Sequence, residues 1–263
     1  MSSLSYAATD SATMLRRNLR HALRYPSMTI STVAMPVVFL LLFDYVLGGT
    51  LGAGLRGVVA GGGEYIDYLA PGVLVMTAAA GSVSTAVSVS VDMTEGIVNR
   101  FRTMAISRGS LLTGHVVGSL IQTIIAMAVV GAVALLAGFR PENGPVQWAA
   151  AAGLLTLLAF ALTWLAVALG MVADSPETAS NLPLPLMFLP FLGSGFVPTS
   201  SMPAGLRQFA EHQPFTSVID TVRALLMGGP VGGTGAIAVA WCVAIALGGY
   251  GWARMSFERR PVR

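Results

Sequence analysis

Apolar residues gather along this chain in long stretches broken by short polar islands, and the lengths of the stretches set their environment. An α-helix rises about 1.5 Å per residue, so crossing a hydrocarbon core of roughly 30 Å takes about 20 apolar residues. The stretches 28–47, 68–91, 111–137, 148–172 and 231–253 meet that length. Another, 182–198, is shorter and carries Pro183, Pro185 and Pro190, yet no charge interrupts it. The pattern predicts an all-α polytopic membrane fold of six transmembrane helices, one domain over 1–263. Composition agrees: 54% of residues are hydrophobic and 10% charged, whereas about a quarter are charged in soluble domains.

Arginine placement orients the spans. Arg16, Arg17, Arg20 and Arg24 precede the first, Arg100, Arg102 and Arg108 lie between the second and third, and Arg254, Arg259, Arg260 and Arg263 follow the sixth. The opposite loops hold only Arg56, Arg140, Arg207 and Arg223. The positive-inside rule therefore places both termini in the cytoplasm of a cell-membrane protein. A cleaved leader is the rival reading of the first span, because Gly48, Gly49 and Ala53 follow its apolar run. The long polar stretch before Met28 and the anchor length favour a span.

Every one of the 15 basic side chains is arginine. A phosphate loop needs lysine after its glycines, and Schiff-base chemistry needs lysine too, so neither is expected of this chain. ATP, if used, must be bound by another polypeptide. Cys242, the single cysteine, falls within the last span and reads as a packing residue; it offers neither a disulfide framework nor a cysteine-based metal site. No paired-histidine motif points to zinc, and nothing in the pattern calls for nucleic acid.

Three islands carry more information. In 1–27, Leu15, Leu19 and Leu23 share one helical stripe and Arg16, Arg20 and Arg24 a neighbouring one, which predicts a cytoplasmic helix lying in the membrane interface. A topogenic basic anchor is the plainer reading. Between spans two and three, Asp92 and Glu95 resemble a capping box, with Ile97, Phe101 and Met104 on one face of a short amphipathic helix. That helix could dock a partner, or be a solvated loop obeying the charge rule. Between spans five and six, 203–228 reads as two short helices, one opened by Pro203 and stopped by Pro214, the other running to Gly228 and Gly229. At roughly 15–20 Å each they are too short to span, and they suit a hairpin re-entering the outer leaflet. Asp220 and Arg223, three apart, can pair there. An amphipathic outer loop is the alternative.

The run Phe196-Val197-Pro198, Met202-Pro203, Leu206, Phe209-Ala210-Glu211, Pro214, Val218-Ile219-Asp220, Arg223-Ala224-Leu225 and Gly228 resembles the ABC transporter type 2 permeases, closest to their daunorubicin-resistance branch. The island Glu95-Gly96-Ile97, Arg100-Phe101-Arg102 and Ile106-Ser107-Arg108 resembles the same family's segment after its second span. Ala105 stands where members of that family often have proline. The resemblance covers the whole chain. It implies an ATP-driven exporter in which two permease units, identical or related, form the pathway and two copies of a separate ATPase subunit drive it. ATP and magnesium would sit on that subunit, with no cofactor in this chain. It further implies an ATPase-coupling role for Glu95, Gly96, Arg100, Phe101, Arg102 and Arg108, with Arg16 and Arg20 of the interface helix also contacting the ATPase.

Rival functions rest on thinner signals. Gly193-Ser194-Gly195 lies in a predicted span, but a rhomboid-type protease needs Gly-x-Ser-Gly, and Leu192 holds the first glycine's place. A secondary transporter without ATP is the stronger rival, although such carriers place ionisable groups near the midplane and Asp44, Asp67 and Asp92 stand toward span ends. A membrane scaffold is the remaining one. Phe39, Phe43, Met76, Phe188, Phe191 and Phe196 are candidate lining for a hydrophobic drug, antibiotic or lipid, though each singly would also serve as packing or lipid contact. Pro203, Pro214, Asp220 and Arg223 are the candidate outer gate. Gly72, Gly81, Ser82, Ser84 and Ser88 predict a closely packed face on span two.

Overall fold

The computed structural model describes the backbone of residues 26–55, 64–94 and 108–259, and the side chains of 32–54, 64–94 and 116–257. Every regular element among them is helical. In chain order they are α1 (Pro26–Leu41), a π-helical turn (Leu42–Val46), α2 (Gly48–Leu55), α3 (Tyr65–Thr94), α4 (Arg108–Ala137), α5 (Pro145–Val172), α6 (Pro176–Asn181), α7 (Leu184–Phe188), α8 (Ala204–His212), α9 (Pro214–Met227) and α10 (Thr234–Arg259).

Four helices, α3, α4, α5 and α10, are long and apolar enough to cross a membrane, and α1 with α2, bent by 71° at the π turn, makes a fifth at most. This is a multi-pass membrane protein. The stretch 182–198, expected as the fifth of six spans, is not one helix. It holds the five residues of α7 followed by turns through Phe196. Pro183, Pro185 and Pro190 explain the break, since each lacks an N–H and its ring clashes with the carbonyl four residues back. The first span also departs from expectation, for its α-helix gives way at Leu42 rather than running to Leu47.

The bundle is built around α3 and α5. The most apolar stretch of α3 is 78% buried and that of α5 67%, against 28% for α4 and for α10, so the outer helices keep broad apolar faces for lipid. Small residues allow the central helices their close approach. A Cβ on Gly170 of α5 would run into the carbonyl of Ala86 on α3, and one on Gly249 of α10 would lie 2.7 Å from the Leu165 nitrogen. On the predicted small-residue face of α3, Gly81 meets Thr123 of α4 and Ser82 is buried, whereas Ser88 is exposed.

Three connections converge at one end. The Arg140 N–H donates to the Asp67 carboxylate at the head of α3 (3.1 Å), while Glu142 N–H and the Asn143 side-chain amide donate to the Leu226 and Leu225 carbonyls at the tail of α9 (3.1 and 2.7 Å). At the other end Val89, Val116, Trp164, Met171, Ala253 and Phe257 form a separate apolar cluster.

The stretch 203–228 holds two short helices, α8 and α9, where its prolines predict them. Pro203 caps α8, and Pro214 takes the first position of α9. Gln213 alone joins the two helices, with φ −73° and ψ 151°. Gly228 ends α9 at φ 82°, a left-handed turn that glycine adopts without a Cβ penalty.

Candidate functional site

The site grows from the second and third turns of α9. Asp220 and Arg223 lie one turn apart on the same face, as their spacing predicts, and pair at 2.8 Å. The guanidinium reaches well beyond that partner. Its Nη2 donates to the carbonyls of Ser194 (2.6 Å) and Tyr68 (3.1 Å), Nε donates to Tyr68 as well (3.3 Å), and its carbon lies 3.7 Å from the centre of the Tyr68 ring. The Ser194 hydroxyl completes the ring of contacts by donating to Asp220 Oδ1 at 2.6 Å. One arginine thus binds α9, the first turn of α3 and the turns after α7. Carbonyls and a carboxylate together spread its charge in a low-dielectric setting where a lone cation would be costly.

A second tie lies close by. The Tyr65 hydroxyl donates to the Phe196 carbonyl (3.0 Å), and Gln213 donates from its amide to the Leu189 carbonyl (3.0 Å). Gly72 of α3 faces Gly195 so closely that a Cβ on Gly72 would strike the Gly195 backbone. The broken segment is therefore held on one side by α3 and on the other by the elbow of the hairpin.

Beside this network lies a cavity of about 370 Å³, lined on its polar side by Asp67, Tyr68, Ser194, Asp220 and Arg223 and on its apolar side by Pro198, Ala224, Met227 and Pro230. Asp67 contributes a carboxylate whose two oxygens already accept the N–H groups of Arg140 and Glu64 (3.1 Å each).

Of the residues expected to line a path, four meet. Phe39 and Phe43, on α1 and its π turn, pack against Phe191 and Phe196 with ring centres 5.3 Å (Phe39–Phe191) and 4.8 Å (Phe43–Phe196) apart. Phe191 and Phe196 stack parallel at 4.1 Å. Phe188 stands 60% exposed on α7, and Met76 is 1% exposed within the core. Of the candidate gate residues, Pro203 precedes α8, Pro214 opens α9, and Asp220 and Arg223 form the network. Glu95, Gly96, Arg100, Phe101, Arg102, Arg16 and Arg20 lie outside the described residues, as does the side chain of Arg108, whose backbone opens α4. Sequence reasoning missed Tyr68, and it considered Ser194 only as a nucleophile; here the Ser194 proton is committed to Asp220. Proximity of Gly193-Ser194-Gly195 to a set of prolines was the available signal that backbone would approach backbone there.

Residues 10–227 match the ABC-2 type transporter family. The chain is 29% identical over 223 residues to the daunorubicin resistance ABC transporter permease protein DrrB1 of Streptomyces coeruleorubidus, covering 84% of this chain and 76% of that one. It is 23% identical over 207 residues to the "Probable doxorubicin resistance ABC transporter permease protein DrrC" of Mycobacterium tuberculosis, covering 77% of this chain and 71% of that one. The chain belongs to the ABC-2 type transporter family. It is a membrane-spanning permease subunit, with ATP hydrolysis carried by a separate subunit.

Proposed function

We propose that this permease moves a hydrophobic or amphipathic compound out of the cell, and that the hairpin α8–α9 closes the outward end of its path. The observation that carries the reading is the Arg223 network. It pins a hairpin too short to span onto both a broken membrane segment and the head of a central helix, which is where a removable closure belongs. In this reading 182–198 crosses the membrane as a broken fifth span, giving six crossings with both termini cytoplasmic. The resistance named for the two kinds of relatives and the Phe39, Phe43, Phe191 and Phe196 cluster support an apolar cargo. Two permease units, identical or related, assemble with two ATPase subunits, which bind ATP and magnesium. Glu95, Gly96, Arg100, Phe101, Arg102 and Arg108 meet the ATPase, joined by Arg16 and Arg20.

The test is reconstitution of the permease with its ATPase in vesicles and a panel of hydrophobic compounds. Export-competent compounds stimulate hydrolysis and accumulate on the far side in an ATP-dependent way. Transport that continues without ATP, driven by an ion gradient, would establish a secondary carrier instead.

A further inference from the structure

The cavity beside Arg223 has a chemistry that the gate does not use. Two carboxylates, Asp67 and Asp220, face it against one guanidinium. Most of that guanidinium's donors are already engaged, Nε and Nη2 on the Tyr68 and Ser194 carbonyls and Nη1 on Asp220 Oδ1. Both hydrogen bonds that Asp220 accepts, from Ser194 and from Arg223, fall on Oδ1, and its side chain remains 41% accessible. Among the described residues Oδ2 accepts no hydrogen bond, so a carboxylate oxygen of a partly accessible side chain is left for a ligand. The opposite wall is apolar, formed by Pro198, Ala224, Met227 and Pro230, and the volume of about 370 Å³ is at the small end of ligand pockets, which run from about 300 to 1,000 Å³. It accepts the polar end of an amphiphile rather than a whole polycyclic molecule.

From this the geometry points to a binding site for a protonated primary amine carried on an apolar body, the ammonium group donating to Asp220 Oδ2 and the apolar part lying along Met227, Ala224 and Pro230. An ammonium has three donors and no acceptor, so it matches a site that offers a carboxylate oxygen and whose strongest donors are already engaged. A carboxylate or phosphate group would meet Asp220 and Asp67 and be repelled. The site rests on the reading of α8–α9 as the outward closure, since it is a cargo's amine leaving the path, or the amine of an outer-leaflet aminophospholipid, that would occupy it. The shared chemistry is the ammonium.

The experiment uses the purified full-length permease in phosphatidylcholine nanodiscs, without ATPase, and titrates decylammonium, decanol and decanoate by calorimetry. Decylammonium binds at least tenfold tighter than the other two. Asp220→Asn, which keeps a group able to bond Ser194 but removes the charge, abolishes the preference. Ser200→Lys, on the exposed rim of the cavity and away from the Arg223 network, weakens decylammonium several-fold and keeps the proposal testable if the Asp220 variant fails to fold. Equal binding of all three probes, or a preference unchanged in the folded Asp220→Asn or Ser200→Lys protein, overturns the site. Repeating the titration with phosphatidylethanolamine in the nanodisc separates the sources: competition assigns the site to the lipid headgroup, and undiminished binding assigns it to free amphiphile. Because no nucleotide is involved, absence of an amine preference in the unaltered permease alongside intact ATP-driven export refutes this site alone, whereas gradient-driven transport refutes the export reading alone.

Discussion

Arg223 lies across Tyr68 as both a cation over its ring, 3.7 Å from the centroid, and a donor to its carbonyl, 3.1 Å from Nη2. The two contacts fix the guanidinium plane and the helix head together, so α9 is keyed to α3 by one side chain. The nearby Arg207 joins no second element in this way. It is half exposed and pairs with Glu211 along its own helix at 2.7 Å.

Arg223→Ala therefore removes a partly buried cation from four acceptor contacts and leaves Asp220 with Ser194 alone. A destabilisation of about 2–4 kcal/mol is expected, as when one member of a buried polar set is deleted. Arg207→Ala costs under about 0.5 kcal/mol, as exposed i,i+4 pairs do. Thermal unfolding of the two variants in detergent, followed by size-exclusion chromatography, measures the difference, and export falls only for the first.

Gly72→Ala is expected to disrupt the protein, because the added methyl occupies the place of the Gly195 backbone; overpacking of a close contact costs about 1–3 kcal/mol or more. Gly153→Ala serves as its control. A Cβ there meets nothing within 4 Å, and helix propensity favours alanine. Folded yield on expression reads out both.

Accessibility along the hairpin follows from burial. In a Cys242→Ala background, single cysteines at 219, 222 and 226 replace residues that are 0–2% exposed and react slowly with a membrane-impermeant thiol reagent added from outside. Cysteine at 207 reacts at least tenfold faster. Uniformly fast reaction would make the segment an ordinary outer loop.

Charge reversal of Glu95, Arg100 and Arg102 together uncouples hydrolysis from export while the permease still inserts, since charge pairs at a partly wet interface supply register more than affinity. Parallel assays of ATPase rate and efflux in vesicles detect it. Normal transport by the triple variant removes the coupling role from this island.

The long helices were legible because bilayer thickness imposes a length, and the hairpin because Pro203, Pro214 and Gly228 punctuate it. The Asp220–Arg223 pair followed from helical spacing. The remainder of the site did not, for a physical reason: Tyr68 and Arg223 are 155 residues apart, and a carbonyl acceptor carries no mark in the sequence. The stretch 182–198 misled because hydropathy counts apolar residues without asking whether three prolines permit one helix. In the first span, nothing in Leu42 to Val46 announces a π turn, which arises from local hydrogen-bond slippage.

The joint between α8 and α9 is one residue long, and the proline after it restricts Gln213 to the extended region it occupies. The angle of the hairpin is therefore set by covalent chemistry as well as by the Gln213 tie to the Leu189 carbonyl. Arg223 is not the hairpin's only anchor, since Phe215, Val218, Ile219 and Val222 of α9 are fully buried in the core. If α8–α9 closes the path as proposed, opening it would have to carry the buried face of α9 along with α8, and what it uncovers at one helix it would uncover at the other in the same stroke.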